Sequence, residues 1–487
     1  MRIFQDIFTV FYRFTTLTVL LAVIAGNSNA AEQENHIINK MLKAYGGNNL
    51  IKLNSLIINN KYKTLDFGRS ASPDVIDINL RNTLVKIDFN KKQSSIESWS
   101  KSNNGVRLGR NFNNGKSGHS INFMRGTHVD RPDYTYYRVA GGSMRMLDTA
   151  LVKVLLEVRD TAQFKGDVLY RGKKHHTLSF KMPESSALTL YVDHKTGLIS
   201  KMTRPGDLTY LFADYKTQSG LTYASNVNFL IAGQADTISL SRSIEVNPDL
   251  SGAFEMPKGI TTIPGGMLDT SKMTVQKIAD NVYLAGQRSG FSIFVDTNDY
   301  FIASGGSPGL SKRFAAVKKH LGTNKPLKYF VVAQHHVNRT GGNDVNELGA
   351  NIIAVKNHIP SIKKSLTQEV DDERFVLVDG KMSLADGKVQ VVEISTSYAE
   401  QFLLVYLPEA KLAFGARHFS TQVTNALPGP SNHAVSYLNA LDSLNLDIER
   451  LYDAHTPRMF TLEDLRSVAA KYNDRTCLPG FKICADY

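Results

Sequence analysis

Cysteine is nearly absent from this 487-residue chain: there are two, Cys477 and Cys484, in the tail CLPGFKIC. So few exclude a disulfide scaffold, and their spacing excludes a C-x-x-C redox pair. With Pro479 and Gly480 between them, the two are expected to close a small loop in an oxidising compartment and to tie down the tail, with no catalytic role. A hydrophobic share of 42% and a charged share of 21% exclude a disordered or collagen-like chain. Several signatures are missing: there is no G-x-S-x-G elbow, no H-E-x-x-H and no P-loop. Ser304-Gly305-Gly306-Ser307 is a glycine-rich turn without the Lys and helix start of a phosphate cradle. The net charge is +12, but it is scattered, and no nucleic-acid motif accompanies it, so nucleic acid is not expected as a partner.

After residue 30 no apolar run is long enough to span a membrane. Residues 1–30 read as a secretory signal. Arg2 and Arg13 bracket a charged start, Leu17–Ala25 is an apolar stretch of the right length, and Ser28-Asn29-Ala30 offers small residues for cleavage. The alternative is an uncleaved anchor over Ile7–Ala25, with Arg13 inside it. No Cys follows the run, which excludes lipid attachment there. Cleavage removes Arg2, Asp6 and Arg13 and leaves +11. The protein is therefore expected to be exported, periplasmic or secreted.

At roughly 100–200 residues per domain, the length suggests two or three domains. The expected boundaries are 31–262 and 270–487, with the linker Ile263-Pro264-Gly265-Gly266-Met267 between them. The first half opens with a helix in NHIINKMLKAYGG, where Ile37, Ile38, Met41, Leu42 and Tyr45 recur at helical spacing. Strand patterns follow: Ile78–Phe89, Thr177–Lys181, a hairpin Ala187–Val192 with Leu198–Met202, and another of Leu208–Tyr215 with Leu221–Leu230. A large, curved, mostly antiparallel sheet with a helix packed on it is expected. The opening helix ending in YGG and the run DYKTQSGLTYASNV resemble periplasmic lipoprotein-carrier half-barrels, except that Ala224 stands where a Pro is usual. That resemblance implies a cup that holds an acyl chain or serves for docking.

The second half alternates strands and helices: KIADNVYLAGQ, GFSIFVDTNDYFIASGG, a helix at Phe314–Leu321, KYFVVA, GANIIAV, FLLVYL, and LYDAHTPR leading into a helix over Thr461–Tyr472. NVYLAGQ, KYFVVAQHHVNRTGG, QFLLVYLPEAKLAFGAR and LYDAHTP, in that order, resemble the metallo-β-lactamase superfamily over most of residues 273–475. The resemblance implies an αβ/βα four-layer sandwich, so the fold class expected is α+β followed by α/β in two domains. It also implies a dizinc site and a metal-bound hydroxide that attacks an ester, amide or lactone carbonyl.

Zinc needs converging imidazoles and carboxylates. Laid onto the family's H-x-H-x-D-H loop, this chain gives Gln334, His336, Asn338 and Arg339; the later His position falls on Tyr398, the bridging Asp on Arg417 and the final His on His455. Only His336 and His455 remain as ligands. Two amides, a phenol and two guanidiniums cannot replace the other five, since Arg keeps its proton and offers no lone pair. Two arginines at the old metal positions would keep the pocket positive and suit a carboxylate or phosphate.

Other residues have bland readings. His335 is expected to face solvent, and Asp453 to sit in an exposed turn. Lys173-Lys174-His175-His176 is read as a solvated strand start, and Tyr398 as space-filling. His418, beside Arg417, is weighed as a substitute ligand. The reading is a degenerate member, a pseudoenzyme without cofactor, that binds an anionic small molecule or a cell-envelope partner. The alternatives are an active zinc-dependent hydrolase and a lipid-handling envelope protein.

Overall fold

The computed structural model describes residues 32–68, 70–306, 308–336, 340–475 and 477–484. The expected signal segment lies outside them. Among the described residues no helix is long and apolar enough to cross a membrane.

The first half is built on one 14-stranded sheet, antiparallel apart from the pairing of Thr261–Thr262 with Thr127–Asp130. Residues 32–44 form the opening helix, and Ile37, Ile38, Met41 and Tyr45 along it are fully buried. Gly46 and Gly47 end it with φ of 119° and 54°, a region that costs a residue with a Cβ far more than glycine. Two further helices, Tyr136–Met146 and Asp148–Glu157, join it over the sheet. Thr135 caps the first, its hydroxyl accepting from the Arg138 amide at 3.1 Å. Both hairpins expected from the alternating pattern form, as Ala187–Asp193 with Ile199–Arg204 and Leu208–Gln218 with Leu221–Ile231.

One face of the strands Ser55–Asp66, Asp77–Asp88, Gln93–Ser102 and Gly105–Asn113 changes character along its length. Side chains two apart share a face. At one end Ile58, Val85 and Ile96 lie side by side and pack under the helices. Further along, the same face carries Thr64 and Asn79, then Arg81, Ser98, Ser100 and Arg107. Too polar to bury against a helix, this end turns toward the second half.

The second half has a seven-stranded sheet spanning Thr274–Leu377 and a six-stranded sheet spanning Lys381–Thr461. In the first, the strands Phe301–Ser304, Leu327–Val331, Asn351–Ala354 and Phe375–Leu377 run parallel, with the helices Leu310–Leu321, Asn343–Glu347 and Ile359–Ser365 in the connections. One apolar cluster joins both sheets, including Leu284, Ile293 and Ile353 with Val391, Leu403 and Phe414. A second lies beneath Leu310, Phe314 and Val317. The helices Asn432–Ser443 and Leu462–Ala469 pack on the first cluster through Tyr437, Leu441 and Leu465. The helix Leu462–Ala469 starts at a capping box of Thr461 and Asp464 and ends short of the Tyr472 expected.

Three hairpin tips of the large sheet reach the second half. Glu400 N donates to Ala71 O at 2.9 Å, Asn432 Nδ2 to Asn103 O at 2.9 Å, and Arg125 Nη1 to Leu427 O at 3.1 Å. The linker is held on both sides: Ile263 N donates to His128 O, and Leu268 N to Gln422 O. Cys477 and Cys484 are joined in a disulfide, and the tail turns back onto the first half, with Ile483 O accepting from Asn82 Nδ2 at 2.6 Å.

Candidate functional site

The strand Leu327–Val331 is buried, and the chain leaving its C-terminal end carries Gln334, His335 and His336, all with no exposed surface. The end of a parallel strand is where open α/β sheets present ligand-binding loops. His336 has both ring nitrogens engaged. Nε2 donates to the carbonyl of Ser70 at 2.9 Å, so the uncharged ring carries its lone pair on Nδ1. Nδ1 accepts from the Gln334 amide at 3.1 Å and from the Tyr398 hydroxyl at 3.3 Å. Ser70 belongs to a hairpin tip of the first half, which thus plugs the loop of the second.

Tyr398 is the centre of the group. His336, His433 and His418 surround its ring at centroid distances of 4.9, 5.0 and 5.5 Å, and the Arg417 guanidinium lies 5.7 Å from it. His418 is buried, bonded to Thr396 Oγ1 at 2.9 Å and stacked on Tyr437. Burial first, then His433 and His336, hold its pKa well below the usual histidine value. His433 Nδ1 bonds Ser397 Oγ at 2.8 Å; burial, then Arg107 and Arg417, push its pKa down to about 4. These imidazoles are neutral near pH 7.

His455, in the turn between Arg450–Asp453 and Thr456–Thr461, donates from Nδ1 to Ser289 O at 3.0 Å. Asn338 and Arg339 lie outside the described residues. Three bland readings are corrected. His335 is wholly buried against His358, whose pKa burial pushes down to about 3. Asp453 is 1% exposed, with its Oδ1 accepting from His455 N, because the hairpin turn faces inward. His175 and His176 are buried too, His176 bonded to Asp167 on the adjacent strand and His175 to Ser200 one strand beyond its neighbour.

A dizinc centre does not fit these residues. His336 has spent both nitrogens on protein partners, Gln334 turns its amide N–H toward it, and Arg417 offers no lone pair. Among the described residues, the one group of three or more His, Cys, Asp or Glu donors close enough to share an ion lies elsewhere, at His119, His128 and Asp130.

Tyr398, Arg417, His418, His433 and His455 line a cavity of about 970 Å³ between the halves. Its other wall is the polar end of the large sheet, including Asn79, Arg81, Ser98, Ser100 and Arg107. Among the described residues, the cavity is lined by five cationic side chains, Arg81, Arg107, Arg125, Arg417 and Lys471, against two carboxylates, Asp66 and Asp77. Burial, then Arg417 and Arg81, lower the pKa of Arg107. Arg107 is exposed to the cavity, and the charges that act on it are those of Arg417 and Arg81, of its own sign. Among the described residues, neither Arg81, Arg107 nor Arg417 forms an ion pair. Sequence reasoning found Arg417 and missed Arg81 and Arg107. The alternation in NLRN and GVRLG marks one face of each strand, but not what that face meets.

No protein-family model and no curated protein matches this chain. Among solved structures it is similar to the DIM-1 metallo-β-lactamase, at 16% identity over 41% of this chain and 96% of that one, with a TM-score of 0.33. A metallo-β-lactamase from Pontibacter korlensis gives 16%, 41%, 98% and 0.33. FIM-1 from Pseudomonas aeruginosa in its mono-zinc form gives 14%, 42%, 95% and 0.31.

Proposed function

We propose that this protein is an exported binding protein that holds an anionic, hydroxyl-bearing small molecule in the cavity between its halves. Its second half we read as a metallo-β-lactamase-like αβ/βα sandwich whose hydrolytic metal chemistry has been given up. The shared apolar cluster between two sheets and the helices on their outer sides support the sandwich. Export rests on the pattern of residues 1–30.

One observation carries the ligand class: Arg81, Arg107 and Arg417 converge on one cavity, and among the described residues no carboxylate is paired to any of them. Clustered guanidiniums repel one another, and an anion that enters gains planar, charge-assisted hydrogen bonds while relieving that repulsion. The serine and asparagine side chains on the sheet wall match hydroxyl groups. They do not suit an acyl chain, which would leave their polar atoms unpaired. The volume is that of a site for a small molecule.

The test is calorimetric titration with citrate and with glucose 6-phosphate at low ionic strength. Arg107→Glu is expected to weaken the better of the two at least about 100-fold, the size of a lost charge-assisted pair together with a new repulsion. Unchanged affinity in Arg107→Glu and Arg417→Glu would sink this reading.

A further inference from the structure

The hairpin Gly118–Asn122 with Thr127–Asp130 carries a second group of donors, on the face opposite Ser120 and Asn122. His119 and Asp130 are directly paired across the strands, and His128 precedes Asp130 by two, so all three side chains stand on one face. His119 Nδ1 lies 3.0 Å and His128 Nε2 3.5 Å from the same oxygen, Asp130 Oδ1. One donor atom from each residue falls within 4.8 Å of the others.

A chain of hydrogen bonds stands behind His119 and holds its ring in place. Asn114 Oδ1 accepts from two backbone amides and, at 3.3 Å, from the Ser117 hydroxyl. The Ser117 hydroxyl is also hydrogen-bonded to His119 Nε2, at 2.8 Å. Nδ1, on the other side of the ring, faces the Asp130 carboxylate. A proton joins the two when no metal is bound, and a metal ion that binds there displaces it. The ring is also held by stacking on Phe112, at 4.8 Å between centroids. An outer partner that orients a ligating imidazole in this way is a feature of metal sites.

We propose that His119, His128 and Asp130 bind one divalent transition-metal ion of the zinc class, leaving its fourth position open to solvent. Two imidazoles and a carboxylate suit zinc, copper, nickel or cobalt, and exclude the hard all-oxygen cages of calcium and magnesium. Tetrahedral zinc with ligands at 2.0–2.2 Å sets its donors about 3.3 Å apart, between the two spacings seen here. His128 is nearly buried, whereas Asp130 is 65% exposed, so the ion enters from the carboxylate side.

The test uses tag-free full-length protein stripped with chelator and dialysed, titrated with Co(II) alone by absorbance and with Zn(II) alone by calorimetry. The expected result is one equivalent bound with a tetrahedral cobalt band. Asp130→Asn, an exposed change that leaves the fold intact, is expected to weaken Zn(II) by at least the roughly 10–100-fold that even an outer partner costs. His119→Gln/His128→Gln is expected to abolish the band, and His336→Gln/His455→Gln to leave it unchanged. Absence of cobalt binding, undiminished binding in Asp130→Asn, or loss of binding only in the His336/His455 variant would overturn the proposal.

Discussion

Two groups of histidines in this molecule differ in what stands behind them. Around Tyr398, His336 is bonded through both nitrogens and His418 and His433 are neutralised by burial, while neighbouring guanidiniums carry the charge. In the hairpin, Ser117 and Asn114 hold the far side of His119, and its other nitrogen faces a carboxylate. The presence of imidazole therefore does not make a metal site. The partner of the second nitrogen, and whether a carboxylate or a cation faces the first, decide between a ligand and a wall.

Acid gives the largest contrast. A histidine whose folded pKa is depressed binds fewer protons than the unfolded chain between that pKa and the unfolded value near 6.5. Stability is then full above about pH 6.5 and falls as pH drops toward the folded values, about 4 for His433 and about 3 for His358. By pH 4, His433 alone should cost about 3 kcal/mol. Urea melts of His433→Gln are expected to show a flatter pH profile by that amount, and an identical slope would mean the ring is not neutral in the fold.

Zinc comes next. At a concentration a hundredfold above its Kd, the metal should add about 2.7 kcal/mol to wild type and nothing to His119→Gln/His128→Gln. Thermal melts with and without Zn(II) measure this directly. His336→Ala should cost about 2 kcal/mol without affecting metal, because it leaves the Ser70 carbonyl unpaired and opens a cavity. Equilibrium unfolding beside a zinc titration separates the two effects. The smallest effect has the opposite sign: Arg107→Met should stabilise the unliganded protein by less than about 1 kcal/mol, since it removes one of three repelling cations. Added salt should erase that gain.

Much of the architecture was legible because it is local. Period-two alternation in ALTLYV and LTYLFADY gave hairpins, and Ile37, Ile38 and Met41 gave the opening helix. The site was legible only as residue types at spaced positions: Gln334, His336 and Tyr398 do meet, and Arg417 does face a cavity. What closes that cavity was not legible. Arg81 and Arg107 stand some 300 residues from Arg417, and no local pattern states that two halves will face each other. His335 and Asp453 were misjudged for a related reason, since both lie in turns, which are usually solvated, but here the other half or a hairpin covers them. His119 and His128-x-Asp130 flank the turn FMRGT and could have been aligned had that turn been read as a hairpin.

The seams between the halves also constrain motion. The linker grips both sides near Ile263 and Leu268, and the cross-linked end of the chain clasps the opposite sheet at Asn82. Together with the three hairpin tips that bond across the seam, these fastenings hold the walls at a fixed distance. A ligand therefore meets arginines whose spacing is preset across three distant stretches of chain, and recognition becomes a matter of fitting a rigid caliper.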